Sequence, residues 1–399
     1  MTAEVSVNGH VAPGFEGVAQ AFEDNFRVRG DVGASVAVYV DGAPVVDLWG
    51  GVADPTTGRA WGPDTTTLVY SATKGATAVL VHALAEAGAI DLDAPVAGYW
   101  PEFAEGGKAG VTVRMLLSHQ AGLPVPTAEL TREDLFAGGP VAAALAAQEP
   151  LWEPGTEHGY HALTYGWLLG ELVRRVTGRS LGAEFAERVA APLKLDLWIG
   201  VPEDADVDYA PLLDGVPDPA ALDAIEDPQV KAAIMQVVGA MMDPTSLFAR
   251  VLSTNGALPT PHAETWNDPR ARRMEQPAAN GVTNARALAR MYAATVSSVD
   301  GVRLLSEATV EAARAEQVFG PDRVLMSPSR FGSGFMLDHA GMPLLSQASF
   351  GHQGAGGALG FADVEHRVGF GYAQNQLGAS LMGEPRTAAL IDALRVSLG

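Results

Sequence analysis

Near the start of the chain, apolar residues recur at helical spacing: Phe15, Val18, Ala19, Phe22 and Phe26. This periodicity predicts an amphipathic helix with one buried face. Strand-forming residues then fill 34–40 and 45–49, on either side of Asp41-Gly42. Because an Asp-Gly pair between two such runs favours a tight turn, the segment predicts a β-hairpin.

The residue pattern that predicts secondary structure changes twice after the hairpin. The middle is rich in alanine and predicts helices, with the clearest patterns at 79–87, 141–148 and 164–177. Strand patterns return at 331–337, 358–363 and 368–374, and a helix is predicted at 387–398. Strands at both ends around a helical middle predict an α+β fold. We expect residues 1–65 and 286–399 to form a discontinuous sheet domain, with 66–285 as an inserted, mainly helical domain.

One apolar segment of the inserted part, residues 234–248, contains Met235, Met241 and Met242. Its pattern predicts a helix, for which two interpretations stay open. The helix belongs to the core of the inserted lobe, or its adaptable methionines form a roof over a substrate pocket.

Charge and composition exclude several classes of protein. The 399 residues include 26 basic and 47 acidic side chains, a formal net charge of −21. Such a charge repels nucleic acid and anionic lipid, so we expect neither as a partner. No run of eighteen apolar residues or secretory leader pattern is present, which predicts a cytoplasmic protein without a membrane span. With no cysteine, the chain has neither disulfides nor thiol chemistry.

The strongest chemical signal is Ser71-Ala72-Thr73-Lys74, where a predicted helix begins after the apolar run 68–70. Residues three apart share a helix face, so the Lys74 amine can reach the Ser71 hydroxyl. A serine needs a nearby base to act as a nucleophile, and burial can lower the pKa of a lysine enough to make it that base. The alternative is a helix-capping serine followed by a solvated lysine.

Three further motifs follow in order. Trp152-Glu-Pro-Gly-Thr156 precedes Tyr160 and Thr164-Tyr-Gly166, and a glycine-rich run, Gly351-His-Gln-Gly-Ala-Gly-Gly357, lies between strand patterns. Residues 114–124 read Arg-Met-Leu-Leu-Ser-His-Gln-Ala-Gly-Leu-Pro. Together with Ser71 and Lys74, this order resembles the serine β-lactamase and penicillin-binding-protein superfamily over roughly residues 30–375. Within it, the chain is most similar to the class C-type branch that includes the family VIII carboxylesterases.

The resemblance implies a β-lactamase/transpeptidase-like fold and a role for each motif residue. Ser71 would be the acylated nucleophile, and Lys74 and Tyr160 would share the work of general base and proton shuttle. A lysine beside a tyrosine hydroxyl lowers the pKa of the tyrosine, so which of the two takes the proton stays open. The backbone N–H groups of Ser71 and Ala355 would form the oxyanion hole. His352, Gln353, Gly354 and His161 would line the substrate site.

Two departures from the family pattern bear on the substrate. Tyr160 is followed by His161 and Ala162, where the family usually has an asparagine two residues after the tyrosine, and His352 stands where the third motif normally has a lysine. Both missing groups would contact the amide or carboxylate of a β-lactam or peptide, and a neutral histidine is a weaker anchor for anions. The sequence therefore favours short-chain, neutral carboxylic esters.

Other activities on the same scaffold stay open: a β-lactamase, a D-amino-acid peptidase or amide hydrolase, an acyltransferase, and an inactive binding protein. The resemblance implies no metal and no organic cofactor. The expected partner is a small-molecule ester, or a β-lactam or amide in the alternatives, and the oligomeric state is left open.

Three apparent motifs are interpreted as structural. Gly178-Arg-Ser-Leu-Gly182 matches a nucleophile elbow, but it follows a predicted helix, so Gly178 is expected to end that helix and Ser180 to cap the next. The acidic run 204–208 lacks the glycine and glutamate of a calcium loop. Glu157, His158 and His161 lack the second ligand cluster of known zinc sites.

Overall fold

The computed structural model describes residues 5–215, 227–258, 263–378 and 384–399. Within them the chain forms these strands: β1 (Val7–Val11), β2 (Gly33–Val40), β3 (Ala43–Asp54), β4 (Arg59–Ala60), β5 (Thr67–Leu68), β6 (Leu197–Ile199), β7 (Gly281–Thr283), β8 (Val318–Pro321), β9 (Pro328–Phe331), β10 (Met336–Leu337), β11 (Ser349–Gln353), β12 (Leu359–Asp363) and β13 (Val368–Gln374). A large antiparallel sheet has the order β1-β3-β2-β13-β12-β11-β10-β9-β8, with β4 paired to β3. A small second sheet has the order β5-β7-β6.

The α-helices of the described residues are α1 (Glu16–Val28), α2 (Thr73–Glu86), α3 (Val113–Leu117), α4 (Arg132–Ala137), α5 (Gly139–Ala147), α6 (Thr164–Thr177), α7 (Leu181–Phe185), α8 (Ala191–Leu193), α9 (Pro228–Met242), α10 (Leu247–Ser253), α11 (Ala263–Asn267), α12 (Pro269–Arg273), α13 (Ala285–Val296), α14 (Glu307–Arg314) and α15 (Pro385–Leu398). Short 3₁₀ turns lie at Val96–Gly98, Pro101–Gly107 and Ala355–Gly357, and a π-turn at Ala186–Ala190. No helix in these ranges is long and apolar enough to cross a membrane.

The centre of the large sheet joins the two ends of the chain. Strand β13 pairs antiparallel with β2, from Val368 opposite Val40 to Gln374 opposite Ala34. Both strands read as nearly continuous apolar runs because helices cover both faces of the sheet. A Cβ at Gly369 or Gly371 would overlap the backbone of α13, so these glycines allow that helix to lie directly against the sheet. The predicted α+β fold, with a sheet built from both chain ends, is confirmed.

Most of the predicted elements are present. The hairpin turn has φ of 51° at Asp41 and 80° at Gly42, the left-handed pair that a two-residue hairpin turn requires. The single strand predicted at 331–337 is wrong, because the chain turns between β9 and β10. There Gly334 has a φ of 89°, and a Cβ on it would press against Ala78 of α2. The region 66–285 also contains the small sheet, and its status as a separate domain stays a prediction.

The helix predicted at 234–248 is divided into α9 and α10, since Ser246 caps α10 by accepting a hydrogen bond from Ala249 N–H at 3.0 Å. Met235 and Met242 of α9 are 49% and 77% exposed, so the core interpretation is wrong for them. The methionine roof is also not found, because none of the three methionines lines the cavity above Ser71; of the predicted segment only Phe248, in α10, lies in its wall.

Candidate active site

Ser71 lies in the tight turn that leads into α2. The residue before it, Tyr70, has a φ of 45°, a left-handed conformation that is uncommon for a bulky residue. The Tyr70 carbonyl accepts hydrogen bonds from the backbone N–H of Thr73 at 3.0 Å and from its hydroxyl at 2.5 Å. These bonds hold the strained turn, and Lys74 N–H donates to the Ser71 carbonyl at 2.9 Å. The two predicted residues therefore share one helical turn.

The Lys74 side chain is completely buried and reaches three oxygen atoms. Nζ lies 3.0 Å from Ser71 Oγ and donates to the carbonyl oxygens of Ala162 at 2.7 Å and Ala278 at 2.9 Å. Burial lowers the pKa of Lys74 well below its ordinary value, which favours the neutral amine. A neutral amine has two N–H donors and one lone pair. In that neutral form, with both donors on carbonyls, the lone pair would be left for the Ser71 hydroxyl.

Tyr160 lines the same cavity as Ser71. Its ring stacks on Phe331 at a centroid distance of 6.2 Å. Burial raises the pKa of Tyr160, although the nearby Ser71 side chain opposes the shift. The Lys74 ammonium position lies 4.7 Å from the centre of the Tyr160 ring. The pKa of Tyr160 is raised and not lowered, contrary to the expectation, so of the two side chains Lys74 is the one whose unprotonated form is favoured.

The glycine-rich run approaches the Ser71 turn from the sheet. A Cβ on Gly354 would overlap the carbonyl of Val69 and lie 3.3 Å from the nitrogen of Ala72, so only glycine fits there. Residue 355 follows at the start of a 3₁₀ turn. Among the described residues, neither Ser71 N–H nor Ala355 N–H donates to a backbone carbonyl. The two predicted oxyanion donors are thus left available at the edge of the cavity.

Two histidines predicted to contact substrate lie behind the cavity. His161 is fully buried, its Nε2 accepts from Leu123 N–H at 3.0 Å, and its Nδ1 donates to the Gly159 carbonyl at 2.7 Å. His352 is also fully buried, and its Nδ1 donates to the Gln353 carbonyl at 2.7 Å. Burial lowers the pKa of His352 to about 3 and that of His161 to about 4, so both rings are neutral. A direct substrate contact by either ring does not fit this geometry.

Two residues that hold the site together were not predicted. Asp322 Oδ1 accepts hydrogen bonds from the backbone N–H groups of Tyr160 at 3.0 Å, Val324 at 2.8 Å and Leu325 at 2.9 Å. His119 Nδ1 accepts from His161 N–H at 3.1 Å. His119 belongs to the motif at 114–124, which is a signal for it, whereas no local pattern marks Asp322.

A cavity lies above Ser71 and opens to solvent. Its floor contains Ser71, Tyr160, Gln353, Gly354 and Ala355. Apolar side chains form much of its wall: Phe248, Leu252, Leu258, Trp266, Leu325 and Met336. No Lys, Arg, His, Asp or Glu from the described part of the chain lines it. The cavity therefore suits an uncharged, largely apolar molecule.

The alternative motifs have structural roles. Gly178 ends α6 with a φ of 75°, and the Ser180 hydroxyl caps α7 by accepting from Ala183 N–H at 3.3 Å, as predicted. Glu157 forms an ion pair with Arg323. In the ranges that the structure covers, no group of three or more His, Asp or Glu side chains is arranged to hold a metal ion.

Comparisons with known proteins agree with this geometry. The beta-lactamase family model matches residues 21–394. The chain is 38% identical to the esterase/beta-lactamase LipL of Mycobacterium tuberculosis over 94% of this chain and 84% of that protein. The structure of a family VIII carboxylesterase superposes with a TM-score of 0.85 at 39% identity, covering 97% of this chain and 98% of the other.

A second solved structure, EstA of Arthrobacter nitroguajacolicus Rue61a, superposes with a TM-score of 0.84 at 36% identity over 98% of both chains. The match of the family model thus extends over nearly the whole sequence, and these relatives are similar over nearly their full length. The chain therefore belongs to the beta-lactamase family and is a hydrolase of the β-lactamase fold.

Proposed function

We propose that this protein is a serine carboxylesterase that cleaves short-chain, uncharged esters through an acyl-enzyme on Ser71. The observation that carries the proposal is the buried Lys74 Nζ, which lies 3.0 Å from Ser71 Oγ and donates to two backbone carbonyls. In the neutral amine, those two donors leave the lone pair for the Ser71 hydroxyl. This arrangement supplies an activated nucleophile without a charged partner.

In the first half-reaction, Ser71 Oγ attacks the ester carbonyl carbon while its proton moves to Lys74 Nζ. The carbonyl oxygen gains a negative charge and is stabilised by the N–H groups of Ser71 and Ala355; one such donor contributes about 2.7–4 kcal/mol in other enzymes. The intermediate expels the alcohol, which takes a proton from Lys74 through the Tyr160 hydroxyl. Water then attacks the acyl group, and the same groups release the acid and restore Ser71.

The uncharged cavity supports esters over charged β-lactams. A β-lactam carries a carboxylate, which burial without a cation destabilises. His352 replaces the lysine of the related motif and is buried and neutral. The apolar wall is suited to the alkyl parts of an ester, which gain roughly 0.8 kcal/mol per buried methylene group. The names of the relatives, a carboxylesterase, an esterase and an esterase/beta-lactamase, support the same class.

The test combines labelling with a matched pair of serine variants. A fluorophosphonate should add once to the wild-type protein, with fluoride as the leaving group, and peptide mapping should place the adduct on Ser71. Ser71→Ala should lose both the label and hydrolysis of p-nitrophenyl butyrate. Ser180→Ala should keep both, because that hydroxyl caps α7. Ester hydrolysis by a well-folded Ser71→Ala variant would disprove the proposal.

A second candidate is hydrolysis of β-lactams or D-amino-acid amides; the family match and the name of the mycobacterial relative favour its β-lactam form. Turnover of a chromogenic cephalosporin and a D-alanyl peptide should be compared with that of the butyrate ester. We expect kcat/KM for the ester to be at least about 100-fold higher, equivalent to about 2.7 kcal/mol of transition-state stabilisation. The reverse order would favour the second candidate.

A further inference from the structure

A buried arginine on the last helix contacts the segment that carries the second oxyanion donor. Arg386 of α15 is 2% exposed, and its five N–H groups all have acceptors. Nε and Nη2 donate to the two carboxylate oxygens of Glu384 at 2.8 and 2.9 Å. Nη1 donates to Asp31 at 2.8 Å and to the Gln376 carbonyl at 2.9 Å. The remaining Nη2 donor reaches the Gly356 carbonyl at 2.8 Å.

The Gly356 carbonyl accepts three hydrogen bonds. Besides Arg386, it accepts from Gln374 Nε2 at 2.6 Å and from Gly378 N–H at 2.9 Å. Gly356 has a φ of 81°, which a residue with a side chain rarely adopts, and a Cβ there would press on Leu377. Three donors from positions 374, 378 and 386 therefore hold this carbonyl in a backbone conformation that favours glycine.

The same segment is held from its other side by the nucleophile turn. Gly354 lies directly against the backbone of Val69 and Ala72, with no space for a Cβ. Ala355 lies between Gly354 and Gly356, so its N–H direction depends on both contacts. The Ala355 N–H belongs to the peptide between Gly354 and Ala355, so a displacement of Gly356 would reach it through the Ala355 backbone and shift it relative to the carbonyl oxygen of a bound ester.

We propose that Arg386 is a positioning residue for the oxyanion hole: its hydrogen bond to the Gly356 carbonyl sets the direction of Ala355 N–H. The proposal rests on the esterase function proposed above. Arg386 is absent from the described residues that line the cavity, so it acts through the backbone. Its charge is paired with the carboxyl groups of Asp31 and Glu384, so the proposed action is through backbone geometry. A lysine has three donors and no planar fork, so it cannot replace these five bonds.

The test is Arg386→Lys, measured well below the melting temperature of the variant. We expect kcat for p-nitrophenyl butyrate to fall about 10- to 100-fold, less than the 10²–10³-fold that loss of an oxyanion donor costs. Affinity for butylboronic acid, whose tetrahedral adduct on serine places an oxygen in the oxyanion hole, should fall by a similar factor. KM should change less than about twofold, since an oxyanion forms only after binding.

A matched control separates positioning from stability. Lys108 is also a fully buried cation, and it donates to the carbonyls of Glu105 at 2.6 Å, of Ala146 at 2.8 Å and of Gln148. Lys108→Met should lower the melting temperature without changing kcat or boronate affinity. If Arg386→Lys behaves in the same way, the inference is wrong.

A second variant decides the question if Arg386→Lys does not fold. Gln374→Met removes a neutral donor from the Gly356 carbonyl, and the other amide atom of Gln374, Oε1, has no hydrogen-bond partner to lose. A fall of kcat and boronate affinity of about threefold is expected, and unchanged values would overturn the inference. Ester hydrolysis that persists in Ser71→Ala would overturn the proposed function and this inference together. Normal kcat in the Arg386 and Gln374 variants, with Ser71 essential, would overturn the inference alone.

Discussion

Replacing Lys74 by methionine removes the proposed base while keeping a long, unbranched side chain in the same space. A general base contributes roughly 10²–10⁴-fold to a rate, so kcat for a short-chain ester should fall by that factor, equal to about 2.7–5.4 kcal/mol. The reason is the position of Nζ, 3.0 Å from Ser71 Oγ with its other donors used by Ala162 and Ala278. Loss of those donors leaves two carbonyls unpaired, at about 1–3 kcal/mol each.

The pH dependence gives this prediction a second, independent measure. Because the folded-state pKa of Lys74 lies well below its ordinary value of 10.5, the unfolded chain binds one more proton than the folded protein between the two values. Stability from this residue therefore rises with pH through that window, by about 1.36 kcal/mol per pH unit, and is lost as pH falls. The difference in unfolding free energy between wild type and Lys74→Met should follow that slope.

The assays are ester turnover between pH 5 and pH 9, and urea unfolding at several pH values up to 10. Wild-type kcat should fall as acid protonates Lys74, since only the neutral amine accepts the Ser71 proton. Lys108→Met is the control, because its buried amine also contacts carbonyls but lies away from the cavity. If Lys74→Met keeps more than about a tenth of wild-type kcat, or if the unfolding difference does not change with pH, the assignment of Lys74 as the base is wrong.

Two further changes test how the site is held. Gly354→Ala should lower kcat about 100-fold, because the new Cβ displaces the segment from the Val69 carbonyl and misplacement by 1 Å can cost that much. Gly17→Ala, where a Cβ meets nothing within 4 Å, should leave kcat unchanged, and equal activity of both variants would contradict the argument. Asp322→Asn should destabilise the protein by about 1.5–3 kcal/mol in urea, since it weakens charge-assisted bonds to Tyr160, Val324 and Leu325. Asp24→Asn, in an exposed ion pair, should cost at most about 1 kcal/mol, and similar losses for the two would disprove the role of Asp322.

The parts of the molecule that the sequence predicted well are those determined by local pattern. Helix α6 and strand β13 have the predicted bounds, because hydrophobic spacing decides both. The sequence could predict that Ser71 and Lys74 lie together, because residues three apart share a helix face. A single strand was predicted at 331–337, but the contact between Gly334 and α2 interrupts it. That contact joins distant parts of the chain and leaves no local pattern.

The candidate site shows the same difference between features set by local sequence and features set by contacts between distant residues. The order of motifs indicated that Tyr160 and Ala355 would lie near Ser71, and the structure brings them to one cavity. The place of His161 could not be predicted, since its ring turns inward to Leu123 and Gly159 rather than toward the substrate. Arg386 and Asp322 have no motif at all. Their importance depends on buried hydrogen bonds between segments far apart in the sequence.

The pairing of β2 with β13 has a consequence for how the protein is made. Gly33 N–H bonds to the side chain of Asn375, 342 residues later, so the central seam of the sheet closes only after nearly the whole described chain has left the ribosome. Until then β2 has an unpaired apolar edge, which favours aggregation and calls for protection by chaperones. Ser71 is synthesised long before Ala355, so a nascent chain has the proposed nucleophile without the second proposed oxyanion donor. A chain released early by stalled translation is therefore expected to have no esterase activity.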